Sequence, residues 1–197
     1  DYNRPAEPVL RSVTVNSWLR SYVMELRSTI AAHLSVSYEP DPKSSHAAVD
    51  VQQMYEVLDN IVRNAREASH PRSALRIRAE RADRQIADKY GLPDDREYIR
   101  ISFQDEGLGM DAETLLRAAS PMFTSKGLGN IGLGLAVAEQ IVRLHHGKLV
   151  HESTVGVGTP AHIFPPVPSD EPPRLHPLPP AAANLGTHAT ATLTLTS

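Results

Sequence analysis

Apolar residues recur at helical spacing near the start of this chain of 197 residues. Positions four residues apart are apolar at Trp18, Tyr22, Leu26 and Ile30. Residues with this spacing share one face of a helix, because about 3.6 residues complete a turn. The pattern therefore predicts a helix from Asn16 to about Ala32 with one buried face.

A second amphipathic helix is predicted from Asp50, whose carboxylate can cap the first turn, to Ala68. Its apolar stripe consists of Met54, Val57, Leu58, Ile61 and Ala65. The stripe on the other side is polar and consists of Glu56, Asn60, Arg63, Asn64 and Glu67. We expect the apolar stripe to pack into a core and the polar stripe to lie outside it.

Strand-like and helical patterns alternate along the rest of the chain. The predicted strands are Leu34–Tyr38, Leu75–Ala79, Tyr98–Phe103 and Leu149–Glu152, and the predicted helices are Asp111–Ala119 and Leu133–His145. Apolar and polar residues alternate again after Thr187, which predicts a final strand. Eight of the 16 prolines lie at 165–180, just before this strand, so we expect a proline-rich insertion at about 160–182. This mixture of elements favours a two-layer α/β domain.

Composition excludes several classes of function. The chain has 20 Lys and Arg against 23 Asp and Glu, so it offers no basic footprint for nucleic acid and no polybasic membrane patch. It has no cysteine, which excludes disulfides, thiolate zinc sites and cysteine nucleophiles. No apolar run approaches the roughly 20 residues that span a bilayer. Because the first residue is Asp1 and not Met, we expect the chain to be a piece of a longer protein.

Asn60 and Asn64 are the first candidates for chemistry. They are four residues apart on the second predicted helix, so their side chains share a face about one turn apart. A carboxamide oxygen is a neutral, hard ligand that suits Mg²⁺ already carrying phosphate oxygens and water. An ordinary solvated helix face would give the same pattern, so the pair alone does not establish a site.

A second candidate, residues 105–110, follows the predicted strand Tyr98–Phe103. The carboxylate of Asp105 can accept a hydrogen bond from an exocyclic amine such as adenine N6. Gly107 and Gly109 let the backbone pass under a flat ring, and Met110 offers an apolar wall. A plain turn after a strand is the alternative interpretation.

Glycines at 127–134 lead into a predicted helix, whose first N–H groups can receive phosphate oxygens. Lys126 can add a positive charge to the same anion. The glycines also match G-x-G-x-x-G, but no strand precedes them as a dinucleotide-binding fold requires. The chain contains neither a Walker A loop nor the H-R-D and D-F-G motifs of protein kinases.

In order and spacing, these segments resemble the ATP-binding domain of bacterial sensor histidine kinases. That domain belongs to a superfamily with gyrase B, the heat-shock chaperone ATPases and the mismatch-repair ATPases. The matching residues are Asn60 and Asn64 for the N box, Asp105, Gly107 and Gly109 for the G1 box, Phe123 for the F box, and Gly132 and Gly134 for the G2 box. The resemblance covers about residues 10–155.

The resemblance implies a Bergerat-type ATP-binding fold, an α/β two-layer sandwich of about three helices on a mixed, largely antiparallel sheet. ATP would lie between the helices and a flexible lid, with Asp105 holding the adenine amino group. Asn64 would coordinate Mg²⁺ and Asn60 would support the phosphates. The lid residues Gly132, Leu133 and Gly134 would meet the phosphate tail, with Phe123 at the base of the lid.

The family usually carries a Gly-Thr pair before its last strand, with the threonine near the adenine. Two pairs compete here, Gly158-Thr159 and Gly186-Thr187. We favour Thr187, because a clean alternating strand follows it, whereas Thr159 runs into Pro160. Residues 1–12 are expected to be a linker from a missing dimerisation hairpin, and 13–197 the ATP-binding catalytic domain.

Position 60 separates kinases from ATPases in this superfamily. Hydrolytic members carry a glutamate there, one turn before the metal-binding asparagine, where it activates water. Asn60 cannot take a proton at neutral pH, which favours the kinase branch and counts against an anti-sigma-type serine kinase. A degenerate nucleotide-binding docking module remains the other alternative.

None of the nine histidines fits the phosphoacceptor pattern of a histidine kinase. The expected partners are therefore the dimerisation and phosphoacceptor domain of the parent kinase and, downstream, a response regulator. We expect a cytoplasmic location, with or without a membrane anchor elsewhere in the parent protein.

Overall fold

The computed structural model describes residues 5–30, 33–43, 45–70, 72–106, 131–154, 160–169 and 190–195. The helices in these residues are α1 (Val15–Ile30), α2 (Val51–Ala68), α3 (Arg84–Tyr90) and α4 (Ile131–Leu144). The strands are β1 (Arg11–Thr14), β2 (Leu34–Glu39), β3 (His46–Val49), β4 (Ser73–Arg81), β5 (Ile99–Asp105), β6 (Lys148–Thr154), β7 (Ala161–Phe164) and β8 (Thr190–Leu195). No described helix is both long and apolar enough to cross a membrane.

Six strands form one sheet in the order β2-β4-β5-β7-β6-β8, and β1 pairs with β3 in a separate two-stranded sheet. Only β2 and β4 run parallel, and the other neighbours in the large sheet are antiparallel. One face of the large sheet shares a core with α1, α2 and α4. The predicted two-layer architecture, with three helices on a mixed and largely antiparallel sheet, is therefore confirmed.

Helix α2 forms as its sequence pattern predicts. All five residues of its apolar stripe are buried, Ile61 and Ala65 by more than 90% and the others completely. Asp50 caps the first turn, because its Oδ1 accepts hydrogen bonds from the backbone of Gln52 at 3.1 Å and of Gln53 at 3.3 Å. The cap and the buried stripe fix the direction and rotation of α2, and so the placement of its polar side chains.

A hydrogen bond from α1 also fixes α2. The hydroxyl of Tyr22 donates to Oδ1 of Asp59 at 2.9 Å, and the Tyr22 ring stacks on Tyr55 with 5.5 Å between centroids. Burial and the neighbouring carboxylate of Asp59 raise the pKa of the Tyr22 hydroxyl. The hydroxyl therefore keeps its proton and remains a donor next to the Asn60 turn.

Helix α3 lies between the predicted strands Leu75–Ala79 and Tyr98–Phe103, where the sequence pattern indicated no helix. Asp83 caps its start by accepting from the backbone of Ile86 at 2.9 Å, and Gly91 ends it at a left-handed φ of 60°. Tyr90 of α3 packs on the outer face of the sheet, 5.1 Å from the ring of Phe164. This helix covers part of the sheet face that the other three helices leave open.

The proline-rich insertion was predicted to start at about residue 160. This start is too early, because residues 161–164 form strand β7. This strand lies between β5 and β6, with Phe103 opposite Ala161 and Leu149 opposite Ile163. All four of its residues are buried, so it lacks the alternation that marks a strand with one wet face. Because prolines flank this central strand on both sides, it was predicted as part of the proline-rich insertion.

The predicted boundary between the linker 1–12 and the catalytic domain falls within strand β1. Arg11 and Ser12 pair with Val49 and Ala48 of β3, so these two residues belong to the folded domain. The chain before them also contacts α2, because the backbone of Val9 donates to Oδ2 of Asp50 at 3.0 Å.

The predicted final strand is present as β8, which pairs with β6 from Leu149↔Leu195 to Thr154↔Thr190. We expect deletion of residues 187–197 to lower the free energy of unfolding by about 2 kcal/mol or more, because a six-residue ladder is lost and β6 becomes an edge. Urea unfolding of this variant and of a control lacking only 196–197 provides the measurement. Equal midpoints and slopes for the two variants would contradict the prediction.

Candidate functional site

Asp105 ends β5 on the face that carries the core. Ile99, Ile101 and Phe103 precede it at every second position and are buried against the helix layer, and Asp105 continues this row with an exposed fraction of 3%. A strand alternates its side chains, so burial of the row places the carboxylate beneath the helices. This position suits a carboxylate that accepts a hydrogen bond from a ligand held between sheet and helices.

Asn60 and Asn64 lie on adjacent turns of α2. Asn60 is buried, with 6% of its surface exposed, although it belongs to the predicted polar stripe. Both side-chain polar atoms of Asn64 are buried and have no hydrogen-bond partner among the described residues. A buried amide without a hydrogen-bond partner has lost its hydration without compensation. It therefore destabilises the fold unless a ligand, an ion or water supplies the missing partner.

The first turn of α4 lies against this part of α2. A Cβ placed on Gly134 would come within 2.9 Å of Oδ1 of Asn60 and 2.7 Å of Nη2 of Arg63, which is closer than side-chain carbons approach such atoms. Any larger residue at 134 would displace these two side chains from their present positions. The predicted N-box and G2-box residues therefore meet at Asn60 and Gly134.

Arg63 also belongs to this site, although the sequence pattern indicated only a place in the polar stripe of α2. Its Nη2 donates a hydrogen bond to Oδ1 of Asn60, three residues earlier on the same helix. The i, i+3 spacing predicts that the two side chains are neighbours. The contact with Gly134 depends on how α4 docks, and no local signal reports that.

The remaining predicted site residues are only partly covered by the structure. Gly132 and Leu133 belong to the first turn of α4, and their side-chain environment lies outside the described part. The other predictions fall outside the described residues altogether, namely Gly107, Gly109, Met110, Phe123, Lys126 and Thr187, together with the alternative Thr159.

A buried histidine connects the far ends of the two site helices. Nε2 of His145, just after α4, accepts a hydrogen bond from the backbone N–H of Asp50 at 3.0 Å, and its Nδ1 lies 2.8 Å from the carbonyl oxygen of Ile141. The ring must therefore be neutral, with its proton on Nδ1. Burial lowers the pKa of His145, because a charged ring would lose its hydration there.

His151 on β6 is also buried and lowers the stability of the domain in acid. Burial, together with the nearby His162, lowers its pKa from 6.5 to about 4, and its Nε2 has no partner among the described residues. The unfolded chain then binds more protons than the folded one between these pH values, so stability is complete above pH 6.5 and falls as the pH approaches 4. We expect a loss on the order of 3 kcal/mol from His151, measured by urea unfolding at each pH.

The matched variants separate His151 from the other histidines. His151→Leu keeps an apolar side chain in the core and removes the unpartnered nitrogen, so its pH dependence should be clearly flatter. His70→Gln changes an exposed histidine and is the matched control. A His151→Leu variant with an unchanged slope would assign the acid sensitivity to His145 or to another group.

A groove of about 420 Å³ lies on the opposite, outer face of the sheet. Its basic side chains are paired with acids, Arg76 with Glu106 at 3.7 Å, Arg78 with Glu39 at 3.7 Å and Lys89 with Glu152 at 3.2 Å. A hydrogen bond from His162 is the main cause that lowers the pKa of Glu152 to about 2, so this acid stays charged. The groove is therefore a neutralised polar surface and lies away from the predicted site.

Comparison with known families matches residues 49–169, more than half of the chain, to the family described as "Histidine kinase-, DNA gyrase B-, and HSP90-like ATPase". The matched range includes α2, Asp105 and α4. It therefore contains the described site residues.

Similar curated proteins include two histidine kinases and a sporulation kinase. Sensor histidine kinase ZraS of Klebsiella oxytoca is 30% identical over 83% of this chain and 33% of its own length. Signal transduction histidine-protein kinase AtoS of Escherichia coli is 27% identical over 85% of this chain and 26% of its own length. Sporulation kinase E of Bacillus subtilis is 42% identical over 37% of this chain and 10% of its own length. The chain thus spans a third or less of these relatives.

Solved structures of similar fold include the catalytic domain of histidine kinase ThkA. It superposes with a TM-score of 0.63 at 23% identity, over 80% of this chain and 95% of that domain. The mycobacterial sensor histidine kinase MprB gives a TM-score of 0.61 at 21% identity, over 81% of this chain and 98% of that structure. At these identities the superpositions establish the fold.

Proposed function

This chain belongs to the histidine kinase-, DNA gyrase B-, and HSP90-like ATPase family, and we propose that it is the ATP-binding catalytic domain of a two-component sensor histidine kinase. It transfers the γ-phosphoryl group of ATP to a histidine on a separate dimerisation domain. The observation that carries this function is the buried amide of Asn64, which has no hydrogen-bond partner among the described residues and lies one helical turn after Asn60, the residue next to Gly134.

The residues present fit Mg²⁺ bound together with ATP. Asn64 offers a hard carboxamide oxygen that accepts no hydrogen bond from any described residue. When bound, Mg²⁺ would neutralise charge on the phosphate oxygens. Asn64 is the residue that would hold it, and Asn60 would orient the phosphates.

Asn60 favours transfer to histidine over hydrolysis. Its carboxamide cannot remove a proton from water, so bound ATP survives until an acceptor is aligned with it. In the transfer, a bond forms between the imidazole nitrogen of the acceptor and the γ-phosphorus, and the bond from that phosphorus to the β,γ-bridging oxygen breaks. The attacking nitrogen is the unprotonated one; ADP leaves with the electron pair, and the proton on the other ring nitrogen of the acceptor passes to solvent.

The partners follow from this chemistry. The relatives named above are multidomain sensor kinases, and this chain covers only the matching catalytic part of them. We propose that the acceptor histidine lies on the dimerisation domain of the same parent, and that an aspartate of a response regulator receives the phosphoryl group next. A cytoplasmic location follows, because ATP and the regulator are found there.

Calorimetric titration with ATP and ADP, with and without Mg²⁺, tests the proposed function directly. The folded chain should bind both nucleotides and then transfer labelled γ-phosphate to the purified dimerisation hairpin of its parent. A hairpin with its acceptor histidine replaced by alanine is the control and should stay unlabelled. A folded chain that binds no nucleotide would instead be a docking module, and labelling of the control hairpin would contradict histidine transfer.

We propose Thr159, in place of the predicted Thr187, as the adenine-side threonine. That prediction relied on a strand following Thr187, but a strand follows each Gly-Thr pair. Strand β7 begins two residues after Thr159 and pairs with β5, which ends at Asp105. Strand β8 lies three positions from β5, a distance of about 14 Å.

Thr159→Val and Thr187→Val form a matched pair for this assignment. We expect Thr159→Val to weaken ATP binding roughly fivefold through the lost hydroxyl, and Thr187→Val to leave it unchanged. Calorimetry measures both affinities. The reverse result would restore Thr187.

A further inference from the structure

Arg63 lies between Asn60 and Asn64 in the sequence of α2, and its side chain lies where α2 contacts α4. Its Nη2 donates to Oδ1 of Asn60, and the same nitrogen lies 2.7 Å from the point where a Cβ of Gly134 would be. The guanidinium is therefore held at the first turn of α4, next to the amide of Asn60. Its side chain is partly buried.

The hydrogen bond fixes the orientation of Asn60. A guanidinium has only donors, so the side-chain oxygen of Asn60 must face Arg63 and its NH₂ group must point away. Asn60 is 6% exposed, which leaves it little freedom to turn over. Its free end is consequently a hydrogen-bond donor, which suits a phosphate oxygen and not a cation.

The charge of Arg63 is not neutralised in the described structure. No carboxylate in the described ranges lies within ion-pairing distance of it, and its one hydrogen bond is to a neutral amide. The N-terminal turn of a helix carries partial positive charge, so a guanidinium at that end of α4 is in an unfavourable field. An anion between the two would turn this repulsion into attraction on both sides.

We propose that Arg63 is a further nucleotide-binding residue whose guanidinium contacts the terminal phosphates of ATP while it holds Asn60 in the donor orientation. This inference rests on the proposed function. One donor of the guanidinium is used by Asn60, and the others are free to bind phosphate oxygens in the planar arrangement that arginine favours. The glycine at 134 provides the space for this contact.

Calorimetric titration with ATP, ADP and AMP tests the inference on the unaltered chain and on three variants. Arg63→Met removes the charge and keeps much of the volume, and Arg63→Lys keeps the charge without the planar group. Arg66→Met removes an exposed charge from the same helix and serves as the matched control. Thermal unfolding of each variant reports any loss of fold.

We expect Arg63→Met to weaken ATP binding roughly ten- to hundredfold, ADP less, and AMP by less than about twofold. Arg63→Lys should recover part of the loss, and Arg66→Met should match the unaltered chain. A structural role would weaken all three nucleotides equally and lower the melting temperature. That result, or unchanged ATP affinity in Arg63→Met, overturns the inference alone, whereas no ATP binding by the unaltered chain overturns the proposed function as well.

Discussion

Asp105→Asn should abolish most of the ATP affinity of the chain, by roughly a hundredfold or more. The carboxylate is 3% exposed and can accept a hydrogen bond from the amino group of adenine. The asparagine can turn its NH₂ group towards that amino group, and two buried donors then face each other without an acceptor. Calorimetric titration with ATP measures the loss, and circular dichroism checks that the variant is folded.

The neighbouring acid is the control for this prediction. Glu106→Gln removes an equal charge one residue later, at an exposed position where Glu106 lies 3.7 Å from Arg76. Exposed ion pairs contribute little, so this variant should bind ATP like the unaltered chain. If Asp105→Asn kept ATP affinity within about threefold, Asp105 would not hold the adenine.

Asn64→Ala should stop phosphoryl transfer while leaving the domain at least as stable. Both polar atoms of the side chain are buried without partners in the described structure, so their removal costs no hydrogen bond within the protein. Loss of the carboxamide oxygen removes the proposed Mg²⁺ ligand, and we expect transfer to the hairpin to fall roughly a hundredfold or more. Hairpin labelling and thermal unfolding, measured on the same samples, provide both readouts.

Glu67→Gln on the same helix is the control for Asn64→Ala, because this residue is exposed. It should keep both transfer and stability. A stable Asn64→Ala variant that still transfers phosphate at the normal rate would remove Asn64 from the site. A strongly destabilised one would show that its amide has a structural role instead.

The sequence predicted those parts of the fold whose signals are local. Helix α2 has a capping aspartate and a complete apolar stripe, so its extent was predicted correctly from Asp50 onwards. Helix α3 was not predicted, because it has only seven residues, most of them charged or polar, and so shows little hydrophobic periodicity. Asp83 and Gly91 nevertheless mark its two ends. Strand β7 was missed because burial on both faces removes alternation.

The candidate site, like the fold, has residues that the sequence predicted and a contact that it did not. Asn60, Asn64 and Asp105 were identified from residue type and spacing, and the structure buries Asn60 and Asp105 and the polar atoms of Asn64. The position of Arg63 against Gly134 depends on the docking of two helices that are more than 60 residues apart in sequence. No local pattern reports such a contact, because packing between distant elements decides it.

The position of β7 constrains how the domain is assembled during synthesis. Strand β5, which carries Asp105, gains its second neighbour only when residues 161–163 have left the ribosome. Until then β5 remains an edge with one row of unpaired backbone groups. The sheet therefore closes late, through contacts between segments about 60 residues apart, and the proposed adenine side of the site is completed after most of the helix layer has been made.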